Sequence, residues 1–222
     1  MNFKSIFEIS ENKNSLGNQF RNKRFKFFFN KIKKLKKPVT ILDVGGKINY
    51  WENRNLAGNI DYQITIVNIE KENSNYSNIK CVIGDATDLS QFKNKSFNVV
   101  HSNSVIEHLY NFKNQKKMAS EIIRVGQNYL VQTPNKFFFM EPHYLIPFFQ
   151  FLPNKIKYYI LTNTKMSRLK KWDRKFAKQY INEIKLISLN ELKILFPSST
   201  IYYEKFYGMN KSFTVHNFKS LQ

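Results

Sequence analysis

Small and polar residues follow four successive apolar segments in the first half of the chain, where their side chains suit one elongated ligand. The segments are 39–44, 64–69, 79–83 and 97–100. Near-continuous apolar, β-branched runs of this length are typical of strands buried on both faces of a parallel sheet. Ligands of open α/β sheets bind at the carboxyl ends of the strands. We therefore expect one binding site at these ends, formed by Asp43, Gly45, Gly46, Asn68, Glu70, Asp85, Ala86, Ser102 and Asn103.

Each residue type suits a particular contact. Gly45 and Gly46 have no Cβ, so the main chain after the first strand can approach a ligand closely. Asn68 and Glu70 carry groups that hydrogen-bond a ribose, and the Asp85 carboxylate accepts from an adenine amino group. The glycines lack the full G-x-G-x-x-G spacing that dinucleotide binding favours. Read singly, the glycines also fit a plain turn, and Asp85 fits a turn cap before residue 87.

The order of these motifs resembles a known family. Leu42-Asp43-Val44-Gly45-Gly46, then Gly84-Asp85-Ala86, then HSNSVIEHL at 101–109 resemble class I S-adenosylmethionine-dependent methyltransferases of the type 11 kind. The resemblance covers roughly residues 39–135 and implies S-adenosylmethionine as the cofactor. It places Asp43 and the glycines in the first loop, Asn68 or Glu70 at the ribose and Asp85 with Ala86 at the adenine. It also places Ser102 and Asn103 in the floor of the site.

The arrangement of predicted elements agrees with that resemblance. Strands alternate with helical or loop connections, and a fifth strand is expected at 129–132. Residues 200–206 and 212–215 then form a hairpin around Gly208 and Asn210. We expect an α/β, Rossmann-like, doubly wound and mostly parallel seven-stranded sheet that ends in an antiparallel hairpin strand. Helices are predicted at 25–35, 112–125, 167–185 and 189–196, the last capped by Ser188 and Glu191.

The chain is expected to form a single methyltransferase domain over residues 1–222. Residues 1–37 are a helical lead, 38–133 the cofactor-binding core, 134–187 an aromatic insert and 188–222 the terminal helix and hairpin. The insert contains FFFMEPHYLIPFFQFLP, which suits an apolar acceptor pocket, a lid on the core or a surface that rests on a membrane. Three prolines divide it into short pieces, so a continuous membrane helix is not expected there.

Histidine is the natural base if the methyl acceptor is a hydroxyl or an acidic phenol. His143 in the insert and His108 in the VIEHL segment are the candidate catalytic residues. Of the other two histidines, His101 lies in a predicted strand and His216 in the terminal hairpin. The alternative is that Glu107 and His108 simply begin a helix.

The chain carries a formal net charge of +20, which is compatible with nucleic acid or an anionic membrane as a partner. Lysines are nevertheless scattered along the whole sequence, with clusters only at 31–37 and 165–178. Scattered charge favours solvated lysines over a nucleic-acid groove. The single cysteine, Cys81, is expected to be a buried, inert thiol; it excludes an internal disulfide and a cysteine-based metal site, and no metal ligand is predicted. Neither a signal peptide nor a membrane helix is expected, so the cytoplasm is the predicted location.

Three functions fit these features. The favoured one is methyl transfer from S-adenosylmethionine to a small-molecule, glycan-associated or lipid-like acceptor, with peripheral membrane contact through the insert as an option. The second is an RNA methyltransferase, which predicts basic residues clustered around the cofactor site. The third is a noncatalytic binding module that keeps the fold. The incomplete glycine loop and Asn68 favour that third reading, whereas the intact Gly84–Ala86 and 105–109 segments oppose it.

Overall fold

The computed structural model describes residues 16–219. Its strands are β1 Val39–Val44, β2 Tyr62–Asn68, β3 Ile79–Ile83, β4 Phe97–Asn103, β5 Gly126–Pro134, β6 Met140–Glu141, β7 Ile146–Pro147, β8 Thr200–Phe206 and β9 Met209–His216. Its helices are α1 Leu16–Ile32, α2 Ile48–Glu52, α3 Phe112–Val125, α4 Asn154–Asn163, α5 Arg174–Glu183 and α6 Leu189–Leu195. The first 15 residues of the predicted lead and the last three residues of the chain lie outside the described part. The prediction that no signal peptide is present concerns those first residues.

Seven strands form one sheet in the order β3-β2-β1-β4-β5-β9-β8. β1 to β5 pair in parallel, and β9 runs antiparallel to both β5 and β8. This confirms the predicted mostly parallel sheet with a terminal hairpin. Because β1 lies beside both β2 and β4, the strand order reverses between β1 and β4. Their carboxyl ends therefore flank the crevice where open α/β sheets bind ligands.

The alternation of side chains along β1 creates the layers on either side of the sheet. Val39 and Ile41 pack with α1 and α2 on one face, where Phe28 and Trp51 are buried. Leu42 and Val44 face the opposite side, and pack with α3 and α6. Both faces are apolar because a central parallel strand is covered on both sides. Asp43 is the exception, since it is 1% exposed and shares the α1–α2 face.

The insert has a hydrophobic core of its own. Its short β6–β7 hairpin, a 3₁₀ turn at Phe149–Phe151, α4 and α5 bury a cluster made of Tyr144, Ile146, Phe149, Leu161, Trp172, Ala177 and Ile181. A backbone hydrogen bond from Lys136 N to Ile187 O (3.1 Å) joins the two ends of the insert to each other, and one from Lys185 N to Glu107 O (2.7 Å) joins its second end to the segment after β4. The insert is therefore a packed unit that is hydrogen-bonded to the rest of the fold.

The predicted basic helix over 167–185 was wrong in its first half. The Asp173 carboxylate accepts a hydrogen bond from Phe176 N at 2.8 Å, which caps the helix and starts it at Arg174. Arg168 and Leu169 instead have positive φ values of 49° and 56°. The predicted core stripe is also only partly buried, because Trp172 is buried whereas Phe176 is 50% exposed.

Other local predictions had mixed outcomes. The predicted helix at 112–125 is confirmed as α3, and α6 begins with the expected capping box of Ser188 and Glu191. The five-residue helix α2 was not predicted. Cys81 is half-buried rather than buried, and burial raises the pKa of its thiol. No helix within residues 16–219 has the length and apolarity needed to cross a membrane.

His216 makes the stability of this fold depend on pH. It is buried at the end of β9, 5.3 Å from the Phe27 ring between centroids, and burial together with Lys31 lowers the pKa of His216 to about 4. The folded pKa is therefore below the unfolded value of about 6.5, so the neutral ring stabilises the fold above that pH. This contribution is lost as the pH falls towards 4, at a cost on the order of 2–3 kcal/mol.

Urea unfolding of the wild type and of His216→Phe at about pH 7 and about pH 4.5 measures this contribution. Phenylalanine keeps the aromatic contact and removes the titrating group, so the variant should lose less stability between the two pH values. Equal losses in the two proteins would mean that His216 does not titrate in this range.

Candidate active site

A buried carboxylate organises the crevice between β1 and β4. Asp43 Oδ1 lies 2.8 Å from His101 Nδ1, and Asp43 Oδ2 accepts a hydrogen bond of 2.8 Å from Trp51 Nε1. Asp43 and His101 are also register partners in the sheet. The carboxylate therefore joins β1, β4 and α2 directly beneath the glycine turn. The other ring nitrogen of His101, Nε2, lies 3.4 Å from the Tyr50 hydroxyl. Burial raises the pKa of Tyr50 to about 12.

Glycine is required at both positions of the turn. Gly45 has a φ of +74°, and a Cβ there would lie 2.6 Å from Val105 Cγ2. A Cβ on Gly46 would lie 1.7 Å from Asp43 Oδ2, which is inside van der Waals contact. The turn therefore follows from the packing of Asp43 below it and of Val105 beside it. The result is a short stretch of main chain at the strand end that carries no side chains.

The end of β2 is tied to this turn. Asn68 Nδ2 donates to Gly46 O at 3.0 Å, and its Oδ1 accepts from Ile69 N at 2.8 Å. Glu70, the other predicted ribose ligand, lies exposed beyond the strand. The sequence did not point to Glu72, whose Oε2 accepts from Ile48 N at 3.2 Å at the start of α2. A carboxylate there stabilises the helix N-terminus.

Asp85 at the end of β3 caps a turn. Its Oδ1 accepts a hydrogen bond of 2.7 Å from Thr87 N, and the side chain is otherwise exposed, while Ala86 is half-buried against the core. Two apolar side chains near this strand end were missed from the sequence: Ile69 is 76% exposed and Ile83 is 61% exposed. Ile83 is the register partner of Asn68, so both isoleucines lie at the same edge of the sheet.

Ser102 and Asn103 at the end of β4 have different environments. The Ser102 side chain is fully buried and donates to Val44 O at 3.0 Å, so it holds the two strands together. The geometry gives no support to its predicted cofactor contact. Asn103, in contrast, lines a cavity of about 320 Å³. Its walls are Gly17, Arg21, Arg24, Asn103, Ser104, Gln132, Pro134, Phe138, Met140, Pro142, Lys211 and Ser212.

This cavity, which we call the strand-end cavity, carries an excess of positive charge. Arg24 and Lys211 both pair with the buried Glu204, at 2.9 and 3.0 Å. Arg21 has no carboxylate within salt-bridge distance in the described part of the chain, and it donates to Asn18 Oδ1 at 2.8 Å. Burial and the neighbouring guanidinium groups lower the pKa of Arg21, and burial lowers that of Lys211. Among the described residues, the cavity thus has three cationic side chains, of which Arg24 and Lys211 pair with Glu204 and Arg21 pairs with no carboxylate.

Folding brings together the two candidate catalytic histidines. The rings of His108 and His143 meet edge to face with centroids 5.0 Å apart. His143 Nδ1 lies 2.8 Å from Glu141 Oε1, and His108 Nδ1 lies 2.7 Å from Glu183 Oε1. Glu107 sits beside them, with its Oε2 accepting a 3.0 Å hydrogen bond from the Thr133 hydroxyl. Sequence spacing did not predict that the carboxylates of Glu107, Glu141 and Glu183 would meet the two histidine rings.

The electrostatics of this cluster follow from its burial. Desolvation raises the pKa of Glu107 above its usual range. Burial alone would lower the pKa of His143, but the carboxylates of Glu141 and Glu107 reverse this, and the net shift is upward.

The aromatic side chains of the insert, which were predicted to suit an acceptor pocket, lie in different environments. Phe138 lines the strand-end cavity and Tyr144 belongs to the core of the insert, whereas Phe137 and Phe148 are 64% and 59% exposed.

The sequence matches a family of known function over part of its length. A family model described as a methyltransferase domain matches residues 45–128, from the glycine turn to the start of β5. No curated protein matches the sequence.

Solved structures share the fold. An S-adenosylmethionine-dependent methyltransferase from Methanosarcina mazei is 14% identical with a TM-score of 0.50, and the match covers 86% of this chain and 95% of that one. The CurJ carbon methyltransferase is 10% identical with a TM-score of 0.57, over 96% of this chain and 56% of that one. A phosphoethanolamine N-methyltransferase of Haemonchus contortus, in complex with S-adenosyl-L-methionine, is 16% identical with a TM-score of 0.51, over 82% and 38%. The matched family model and these structures agree in describing methyltransferases, and the Haemonchus contortus protein was solved with S-adenosyl-L-methionine bound.

The close packing of the glycine turn leads to a testable difference between two glycines. Gly45 and Gly208 both have positive φ, so alanine at either position adds strain of about 1–2 kcal/mol. Only at Gly45 does the new Cβ also overlap a neighbour, since nothing lies within 4 Å at Gly208. Gly45→Ala should therefore cost about 1–3 kcal/mol more in stability, and should also weaken S-adenosylmethionine binding.

Urea unfolding and titration calorimetry of both variants provide the comparison. Gly208→Ala is the matched control and should bind the cofactor as the wild type does. If Gly45→Ala behaves like Gly208→Ala in both measurements, the turn is neither closely packed nor near the cofactor.

Proposed function

We propose that the protein is a class I S-adenosylmethionine-dependent methyltransferase whose acceptor is a small molecule that carries an acidic group. The single observation behind this proposal is the strand-end cavity, where Glu204 pairs with Arg24 and Lys211 and no carboxylate of residues 16–219 pairs with Arg21. A carboxylate or phosphate on the acceptor would supply the missing negative charge, and arginine binds both groups in a two-pronged geometry. The cavity volume of about 320 Å³ fits a small-molecule site.

Residues at the other strand ends suit the cofactor. The turn at Gly45 and Gly46 is a cradle that a Cβ would fill, so the main chain there is open to close approach by a ligand. In our proposal, Ile69 and Ile83 lie against the adenine ring, which would explain two exposed isoleucines at one sheet edge. Asp85 accepts from the adenine amino group through the oxygen that its turn cap leaves free. Glu70 takes the ribose, because both amide atoms of Asn68 are already hydrogen-bonded.

Asp43 and Ser102 support the site rather than touch the ligand in this proposal. Both oxygens of Asp43 are hydrogen-bonded within the protein, and the Ser102 side chain is fully buried. Asn103 is the member of this group that reaches the strand-end cavity. Its amide is placed to contact the acceptor or the end of the cofactor that carries the methyl group.

S-adenosylmethionine would supply a methyl group bonded to a cationic sulfur. The acceptor's lone pair would form a bond to the methyl carbon while the carbon–sulfur bond breaks and the sulfur keeps its electrons. The protein's task is to hold donor and acceptor in line and to exclude water. Phe138, Met140 and Pro142 of the insert cover the cavity and serve that exclusion. If the acceptor is a hydroxyl, His143 or His108 receives its proton at Nε2, because each Nδ1 already donates to a carboxylate.

The distribution of charge argues against RNA as the acceptor. The lysine cluster at 31–37 precedes Val39, and so lies at the amino end of β1, opposite the glycine turn. Lys37 pairs with Asp61 at that end. Near the proposed cofactor site, Arg21, Arg24 and Lys211 line the strand-end cavity, whereas Lys47 and Lys71 are single exposed lysines beside the strand ends. A small anion fits this arrangement better than a duplex. The exposed Phe148, Phe151 and Leu169 of the insert keep peripheral membrane contact, and hence a lipid-like acceptor, as the second candidate.

Asp85 allows the cofactor role and the turn-cap role to be separated. In Asp85→Asn the side-chain oxygen can still accept from Thr87 N, but the remaining atom becomes an NH₂ group that cannot accept from adenine. We expect cofactor binding to weaken by about 1–3 kcal/mol with the melting temperature unchanged. Titration calorimetry with S-adenosylmethionine measures the first effect and thermal unfolding the second.

Asp88→Asn is the matched control, since Asp88 also caps a turn, through a 3.0 Å hydrogen bond from Ser90 N. It should bind the cofactor like the wild type. Unchanged affinity in Asp85→Asn would assign Asp85 to the turn alone. Absence of binding by the folded wild type would instead favour the noncatalytic module.

Transfer of a labelled methyl group from S-adenosylmethionine tests the acceptor class. Water-soluble metabolites, lipids in vesicles and RNA are offered separately, and we expect label in acidic compounds of the first fraction. Arg21→Gln should raise KM for such an acceptor at least tenfold, about 1.4 kcal/mol, while cofactor affinity stays constant. The matched control is Lys26→Gln on the same helix, whose side chain is exposed outside the cavity.

The other outcomes are distinct. Label in the lipid fraction would move the acceptor to the membrane and the contact to the insert. Label in RNA would overturn the proposal. If Arg21→Gln weakens cofactor binding as well, the cavity holds the acidic end of the donor rather than of the acceptor.

A further inference from the structure

The cluster of Glu107, His108 and His143 has a geometry that proton transfer alone does not explain. One ligand atom from each of the three residues lies within 4.8 Å of the others. His143 Nε2 and Glu107 Oε1 are 4.0 Å apart, which is too long for a hydrogen bond. Three groups that can donate lone pairs thus surround a common point without bonding to one another.

Glu107 Oε1 provides a second, independent observation. The Glu107 side chain is completely buried, and no group within residues 16–219 hydrogen-bonds to Oε1. Its other oxygen is satisfied by the Thr133 hydroxyl, so the orphaned oxygen is the one that points towards His143. Leaving a buried carboxylate oxygen without a partner is costly, and a bound cation is one of the ordinary ways of satisfying it.

The histidines are oriented as metal ligands are. Each Nδ1 is within 2.8 Å of a carboxylate, from Glu141 for His143 and from Glu183 for His108. Such a bond fixes the tautomer with the proton on Nδ1 and leaves the Nε2 lone pair free. Metal-binding histidines almost always carry this carboxylate or carbonyl partner on the second ring nitrogen.

We propose that Glu107, His108 and His143 bind a divalent transition-metal ion through Glu107 Oε1 and the two Nε2 atoms. Two imidazoles and one carboxylate suit zinc, iron, cobalt or manganese better than magnesium, which prefers an all-oxygen shell. Ligands of one ion lie closer together than 4.8 Å, so the cluster contracts by about 1 Å on binding. His108 has the freedom for this movement because its side chain is 29% exposed.

The local charge favours a cation. Glu107, Glu141 and Glu183 contribute three carboxyl groups around two imidazoles, in a chain whose net charge is +20. Arg168 is one nearby positive charge, and it donates to the His143 carbonyl oxygen rather than to a carboxylate. Lys157 is another, since it interacts electrostatically with Glu141. The cluster is therefore a negative site within a basic protein.

The site borders the proposed acceptor cavity, and this part of the inference rests on the proposed function. Asn103 and Pro142 line the strand-end cavity, and Glu107 and His143 follow them closely in the chain. Three protein ligands leave coordination positions open, as in catalytic rather than structural metal sites. An acceptor hydroxyl bound at such a position would lose its proton to water more readily, with the ion doing what a histidine base would otherwise do.

The experiment measures binding of the metal alone. Full-length protein freed of metal by chelation is titrated with Co²⁺, and the visible absorption band of the bound ion is followed; competition by Zn²⁺ gives the relative affinity. We expect one ion per chain. Glu107→Gln keeps an oxygen for Thr133 and should weaken binding by at least about 100-fold, and Glu183→Gln, which acts through His108, by about 10–100-fold.

Two controls keep the outcome clear. His216→Gln removes a buried histidine outside the cluster and should leave the titration unchanged. Circular dichroism and S-adenosylmethionine binding are measured on every variant, and His108→Ala replaces Glu107→Gln if the latter does not fold. Failure of the folded wild type to take up one Co²⁺, or equal affinity in wild type and a folded ligand variant, would overturn the metal site. Retained cofactor binding in that case would leave the methyltransferase assignment standing.

Discussion

The pairing of the Asp43 carboxylate with His101 and Trp51 is the constraint on which the site depends. A buried charge is tolerated at this position because both of its oxygens are hydrogen-bonded. Its bond to Trp51 holds α2 over the sheet, and its bulk excludes any side chain at position 46. The carbonyl of Gly46 then orients Asn68 at the neighbouring strand end. One aspartate thus fixes three segments that come from separate parts of the chain.

Elements whose formation depends on residues close together in the sequence were predicted well, whereas elements that depend on tertiary contacts were not. β1 and β3 were predicted at their observed limits because apolar, β-branched runs of this length identify strands without reference to their partners. The capping box of α6 likewise depends on only four consecutive residues, 188–191. Helix α2 was missed because its five residues are too few to be stable alone. Its stability comes from Trp51 on Asp43 and from Glu72 at its N-terminus, both of which are tertiary contacts.

The candidate site shows the same division. The motifs lie at the carboxyl ends of β1 to β4, although β4 continues to Asn103 instead of ending at residue 100. The hydrogen bonds that each side chain makes there were not predicted. Ser102 follows the pattern of a ligand-binding serine, yet strand pairing with β1 turns its hydroxyl to the Val44 carbonyl. The convergence of Glu107 with His143 depends on how the insert folds back on β4 and β5, and no spacing in the sequence encodes that return. Exposed isoleucines at 69 and 83 break the burial pattern of their strands, which is a signal only once the register is known.

The insert holds the carboxylates of Glu141 and Glu183 in defined positions because it packs around a hydrophobic core. Its own hydrophobic core sets the positions of α4 and α5, and the backbone bond from Lys185 N to Glu107 O joins its end to the segment after β4. Glu183 therefore reaches His108, while Glu141 closes the turn at His143 by accepting from both His143 N and Tyr144 N at 2.8 Å. A lid held by a few loop contacts would let the two imidazoles and Glu107 separate into solvent. Here the segment after β4 supplies Glu107 and His108, and the insert supplies His143 and the two orienting carboxylates, so neither part forms the cluster alone.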